Sequence, residues 1–396
     1  MWLRAAGPCA RVVLGALRVS KRSKVQQESS FFINVTGWVG GDSNPQNYGF
    51  AEAFQALPLA LHNSVAVCVL LSAGRICAQL PHPTRMSVSR RQFLKSSAAL
   101  TATAALAPQL AAEAFSAKPF FEISLAEWSL HKALFANKMT NLEFPVMAKK
   151  EFGISVVEYV NQFFKDKAED KKYLSELLLR CKDNGVRNHL IMVDGEGDLG
   201  APDAAERQKA VENHYKWVDA AHYLGCTTVR VNAFGKGSAQ EVQQAAVEGL
   251  SRLSAYAQRA GLNVLVENHG SYTSDGKWLL STIRQVGKSN VGILPDFGNF
   301  CIRRDTGELY RGKCIEEYDK YLAVKEWMPV AKGVSAKTFD FDAAGNCVET
   351  DYPRMFNIIK SSGFRGFVGI EYEGETTSEE EGIRKTKALL EKILRA

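Results

Sequence analysis

No apolar run in this 396-residue chain, Ser64 to Ser72 included, reaches the ~20 residues that a helix needs to cross a bilayer. Cysteine is sparse, eight residues in all, with no CxxC pair and no Cys/His spacing of the kind that builds a structural zinc site. Cys181, Cys226, Cys301, Cys314 and Cys347 in the later part of the chain read as small buried hydrophobes, with room for one disulfide. No glycine-rich loop follows the first strand-like run, which argues against a nucleotide cofactor and against a dinucleotide-binding open sheet. A basic surface is missing too. Of 49 Lys and Arg, 11 precede Phe115, as do 4 of 43 Asp and Glu, so the remainder carries 38 positive and 39 negative charges. A net of −1 offers nothing to a nucleic acid.

The basic residues near the start include Ser89-Arg90-Arg91-Gln92-Phe93-Leu94-Lys95, followed by a weakly apolar stretch to Leu106 and the small-residue site Ala112-Glu113-Ala114. Paired arginines, a short apolar region and a cleavage site form a twin-arginine signal rather than a domain. Cleavage is expected after Ala114. The expected initiator is Met86, with residues 1–85 a mis-extended or disordered leader, 86–114 the signal peptide and 115–396 the mature domain. The protein is therefore expected to be periplasmic, or otherwise exported by this route.

The mature part alternates short β-branched runs with longer amphipathic ones. Strands are expected at Phe121–Ser124, Ser155–Tyr159, His189–Val193, Thr227–Asn232, Asn263–Glu267, Val291–Asp296, Gly333–Thr338 and Phe367–Tyr372. Helices are expected at Ala204–Tyr223, Ala239–Ala260, Trp278–Val286, Ile315–Met328, Pro353–Ser361 and Glu379–Leu394, with Gly185, Gly225, Gly261 and Gly363 as stops. Eight strand–helix units in this length predict a (β/α)8 TIM barrel, with a doubly wound open sheet the alternative.

In such a barrel the site lies at the carboxyl ends of the strands. There Val266-Glu267-Asn268-His269 ends strand five, Pro295-Asp296-Phe297-Gly298-Asn299 ends strand six, and Gly369-Ile370-Glu371-Tyr372-Glu373 ends strand eight. Each acid follows residues that must be buried, so it needs a cation, a proton or several donors. Three at one mouth would repel each other unless a divalent metal neutralised them. Glu373 reads as exposed loop polarity, and Asp296 alone could cap a helix. His269 faces either the site or the loop. Glu158 ends strand two, Asn232 follows strand four as a candidate polar contact, and Trp128 near strand one either stacks on a ligand or packs.

These segments, together with Ala336-Lys337, resemble the xylose-isomerase-like barrels of the sugar phosphate isomerase/epimerase group over roughly Phe120 to Arg395. The resemblance implies Glu267, Asp296 and Glu371 as ligands of one divalent metal. Two positions depart from the family. Ser335 stands two residues before Lys337, where a ligating His is common, and Asn299 stands where many members have a second His. An oxygen-rich centre would favour Mg or Mn over Zn.

The expected function is a periplasmic, metal-dependent sugar isomerase or epimerase working through an enediolate. Glu267 and Glu371 serve as acid and base, and His269, Asn299, Lys337, Glu158, Trp128 and Asn232 serve as substrate contacts. Lys337 could equally hold the barrel end together by pairing with a carboxylate. One alternative is a lyase on oxidised keto glycosides using the same site; another is a carbohydrate-binding barrel that has lost catalysis. The expected partners are a small sugar and the export machinery, with a homo-oligomer compatible and no nucleic acid.

Overall fold

The computed structural model describes residues 67–71, 74–78 and 119–395. The expected signal peptide and cleavage site lie outside them. The chain divides after Phe115. Within the first unit, Val67–Leu71 and Gly74–Ala78 pair antiparallel.

In the second unit, eight strands run parallel: β1 Phe121–Ala126, β2 Val156–Val160, β3 Arg187–Met192, β4 Thr228–Val231, β5 Asn263–Glu267, β6 Val291–Leu294, β7 Val334–Thr338 and β8 Gly366–Tyr372. Their spatial order is β7-β8-β1-β2-β3-β4-β5-β6. Parallel bridges Ile293–Ala331 and Asp296–Ser335 join β6 to β7 and close the ring. The principal helices are α1 Phe144–Phe152, α2 Lys171–Asp183, α3 Ala204–Tyr223, α4 Ala239–Arg259, α5 Gly276–Val286, α6 Lys320–Trp327, α7 Tyr352–Ser361 and α8 Glu379–Arg395. One follows each strand, as the TIM barrel expectation requires.

Side chains alternate across each strand. Val264 and Val266 of β5, Val334 and Ala336 of β7, and Val368 and Ile370 of β8 belong to the apolar layer shared with the helices. The alternate positions face the lumen, where Ala126, Val160, Leu190 and Met192 form a small apolar cluster.

Two boundaries differ from expectation for local reasons. Strand β6 stops at Leu294 because Pro295 has no N–H to continue the ladder. The helix expected from Ile315 starts at Lys320, where the Asp319 carboxylate accepts the Tyr321 and Leu322 N–H groups. Before it, Cys314–Glu317 pairs with Cys301–Arg304 as an antiparallel hairpin, and Cys301 and Cys314 form a disulfide. Cys181, Cys226 and Cys347 are free and buried. No helix among the described residues is long and apolar enough to cross a membrane.

Candidate active site at the carboxyl ends of the strands

Glu267, Asp296 and Glu371 each offer an oxygen within 4.8 Å of the others, and all three side chains are buried. Their convergence follows from the strand ends. Glu267 is the last residue of β5, in the lumen-facing phase of the alternation. Asp296 lies just beyond Pro295 and is held by Asn268, which accepts from the Asp296 N–H at 2.8 Å and donates to its carbonyl at 3.0 Å. Glu371 pairs in register with Lys337 across the β7–β8 ladder.

Each carboxylate has partners of its own. Asn299 Nδ2 donates to Glu267 Oε1 at 3.1 Å. Arg230 Nε sits 2.7 Å from Glu267 Oε2, close enough for an ion pair but out of line for a hydrogen bond, so both atoms lack one. Asp296 Oδ1 accepts the Gly298 N–H at 2.8 Å. Ser335 Oγ lies 2.8 Å from both Asp296 Oδ2 and Glu371 Oε2. One hydroxyl proton cannot serve two carboxylates, so this bridge calls for a shared proton or a cation between them. The Lys337 ammonium stands 3.5 Å from Asp296, 3.2 Å from Glu371 and 3.4 Å from Glu373.

Burial dominates the electrostatics. It pushes the Glu267 carboxyl up to about 7 against the pull of Arg230, and holds Asp296 well above the carboxylate range despite Lys337. Burial disfavours the Lys337 ammonium, yet Asp296 and Glu371 keep its value well above that of an ordinary lysine. Burial and Arg230 bring His269 down to about 4, so its ring is neutral near pH 7. Asn232 fixes the tautomer. Its Nδ2 donates to Asp194 at 2.7 Å, which turns its Oδ1 toward His269 Nδ1 at 3.0 Å. The Nδ1 therefore carries the proton and Nε2 is the acceptor.

A cavity of about 680 Å³ opens beside this cluster; Trp128, Asn232, His269, Asn299, Lys337 and Glu371 are on its wall, and Glu267 and Asp296 lie behind it. Glu158 is on no part of that wall: it is buried in the lumen and accepts from Ser124 Oγ at 2.5 Å. Its carboxyl is pushed up to about 7, chiefly by burial. Glu373 differs from the expected loop acid. It accepts from Trp128 Nε1 and pairs with Lys337, lining the cavity.

Arg230 and Asp194, neither among the expected site residues, pair at 2.6 Å. Arg230 carried a usable signal, as a lone charge inside the β-branched run Thr228-Val229-Arg230-Val231. Ser335 counted only as a lost ligand, although it bridges two of the acids. Tyr310 and Leu309 also line the cavity, and nothing in their local sequence suggests it.

Residues 147–393 match the family model described as xylose isomerase-like TIM barrel. Residues 87–107 match the twin-arginine translocation signal model, and the chain is exported by that route. No curated protein matches. Among solved structures, an L-ribulose 3-epimerase is similar, with 15% identity over 69% of this chain and 94% of its own, at a TM-score of 0.53. The Escherichia coli 3-keto-D-glucoside 4-epimerase YcjR has 15% identity, 69% and 100% coverage and a TM-score of 0.50. The IOLI protein, solved with a bound zinc atom, has 14% identity, 69% and 98% coverage and a TM-score of 0.52.

Proposed function

Because the chain belongs to the xylose isomerase-like TIM barrel family, we propose that it is a periplasmic sugar isomerase or epimerase acting through an enediolate, with Glu267 and Glu371 moving the proton. The observation that carries this reading is the convergence of three buried carboxylates beside a 680 Å³ cavity. The sugar epimerases among similar structures support it.

The donor set fits a divalent cation. Three carboxylates face two cationic side chains that already serve Asp194 and Glu373, Glu267 Oε2 lacks a hydrogen bond, and Ser335 needs a second charge or proton between its partners. Glu267, Asp296 and Glu371 would hold the ion, with Mg or Mn favoured by an all-oxygen shell. Such an ion supplies Lewis acidity at a substrate oxygen.

The chain's own residues account for the remaining steps. One glutamate removes the proton from the carbon beside the carbonyl, and the other returns it to the neighbouring atom or the opposite face. The Lys337 ammonium donates to the oxygen on which charge develops. Asn299 and the His269 Nε2 lone pair fix sugar hydroxyls, and Trp128, stacked on His131 and Phe163, gives the pocket an apolar wall beside them. Asp194, Glu196, Asp198, Glu373 and Glu375 on the cavity wall disfavour phosphorylated sugars, so the substrate is neutral.

The test is to incubate a panel of neutral ketoses with the protein in deuterium oxide, with and without Mg or Mn, and follow the α-carbon by NMR. Cation-dependent deuterium wash-in is expected, falling about 10²- to 10⁴-fold in Glu267→Gln. Saturable sugar binding without wash-in would overturn the reading and leave a carbohydrate-binding barrel.

A further inference from the structure

Between β6 and α6 the chain leaves the barrel mouth as the disulfide-closed hairpin, four residues per strand with an irregular register. An isolated two-stranded hairpin of that length is marginal by itself. This one is fastened from within. Arg304 donates to the carbonyls of Leu309 at 3.1 Å and Gly312 at 2.9 Å, the Lys313 N–H donates to Asp305 at 2.9 Å, and Cys301–Cys314 joins the two strands.

Its tip is seated on the active-site loop that follows β5. A Cβ on Gly270, whose φ is 106°, would lie 2.7 Å from Leu309 Cδ1, so the missing side chain is what admits Leu309. The Tyr310 ring lies 5.5 Å from the His269 ring, and both residues line the cavity with Lys337 and Glu371. Tyr310 is nonetheless 60% exposed, an aromatic face held at a polar pocket without being packed away.

We propose that this hairpin is a wall of the substrate pocket, that Tyr310 is a specificity residue stacking on the apolar face of a neutral saccharide, and that the Cys301–Cys314 bond positions it. The bond forms by thiol–disulfide exchange: the two thiols give up two electrons and two protons, and a disulfide-bearing oxidant is reduced to a dithiol. Export to an oxidising compartment keeps the bond closed. The bond sets the pocket wall without touching the carboxylates. The saccharide part of this inference rests on the sugar reading above; the positioning part does not.

Two measurements test it on the exported protein. Peptide-resolved hydrogen exchange, with and without dithiothreitol, reads 300–318 and 269–274 separately. Reduction is expected to raise exchange about tenfold or more in both segments, with the barrel strands unchanged, and a Cys301→Ser/Cys314→Ser variant should show the same. A rise confined to the hairpin, with 269–274 unaltered, would overturn the positioning role. In the ketose wash-in assay, Tyr310→Ala should raise KM about tenfold with kcat within about twofold, and Tyr310→Phe should restore it. An unchanged KM overturns the stacking role. If the wild type exchanges no ketose, the sugar reading fails while the hydrogen-exchange result still decides the hairpin.

Discussion

The two faces of β7 and β8 do different work. On β8, Val368 and Ile370 disappear into the layer under the helices, while Glu371 between Ile370 and Tyr372 meets Ser335 and Lys337 in the lumen. On β7, Val334 and Ala336 are structural and Ser335 and Lys337 belong to the site. The outward face gains chiefly from apolar burial, and an apolar residue of similar volume serves it. The inward face gathers like charges whose burial opposes ionisation, and it is stable only because each is paired, bridged or neutralised. A single-residue step along the strand separates stability from chemistry.

That contrast can be broken from the inward side first. Lys337→Met removes the ammonium shared by Asp296, Glu371 and Glu373, leaving buried carboxylates uncompensated. A loss of about 3–5 kcal/mol in urea unfolding at pH 7 is expected, partly recovered at lower pH. On the outward side, Leu279→Ala in α5, a fully buried position under the helix layer, should cost about 2–5 kcal/mol and leave cation binding intact. The lumen has its own pH signature. His189 packs tilted against Phe367 and faces Thr227 Oγ1 at 2.8 Å, and burial, helped by Arg187, lowers its value to about 4. The folded ring stays neutral while the unfolded one takes up a proton below about 6.5. Stability is therefore complete above that pH and declines at up to about 1.4 kcal/mol per unit toward pH 4. His189→Gln should flatten that decline in unfolding midpoints measured between pH 7 and 4.5. The smallest effect is expected at the exposed Arg187–Glu122 pair, where Glu122→Ala should change stability by less than about 1 kcal/mol.

The outward face was legible in the sequence because apolar burial leaves a local record. Val264-Leu265-Val266 and Val368-Gly369-Ile370 announce strands wherever they stand, and glycines at Gly225 and Gly261, with φ of 74° and 73°, end helices by a local conformational need. The acids at the strand ends were legible for the same reason, as charges abutting runs that must be buried. Their partners were not. Arg230 meets Glu267 and Asp194 only because β3, β4 and β5 lie side by side, and Ser335 gains a role only when β6 and β8 flank β7. Glu373 looked like a loop residue until Trp128, 245 positions away, gave it a donor. The hairpin's second strand falls at the start of the expected helix because Ile315 and Tyr318 mimic a helical spacing, while its partner Cys301–Arg304 stands ten positions or more earlier in the sequence.

Glu371 and Ile370 are neighbours in sequence that face opposite ways. Glu371→Gln and Ile370→Ala should be compared by the rate of cation-dependent ketose wash-in and by the urea midpoint. The expected result is a crossed pattern: Glu371→Gln loses about 10²- to 10⁴-fold in rate with little loss of stability, and Ile370→Ala loses about 2–5 kcal/mol of stability while its folded fraction exchanges at a near wild-type rate. If Glu371→Gln kept its wash-in rate, or if both variants lost rate and stability together, the division of labour between the two faces would be contradicted.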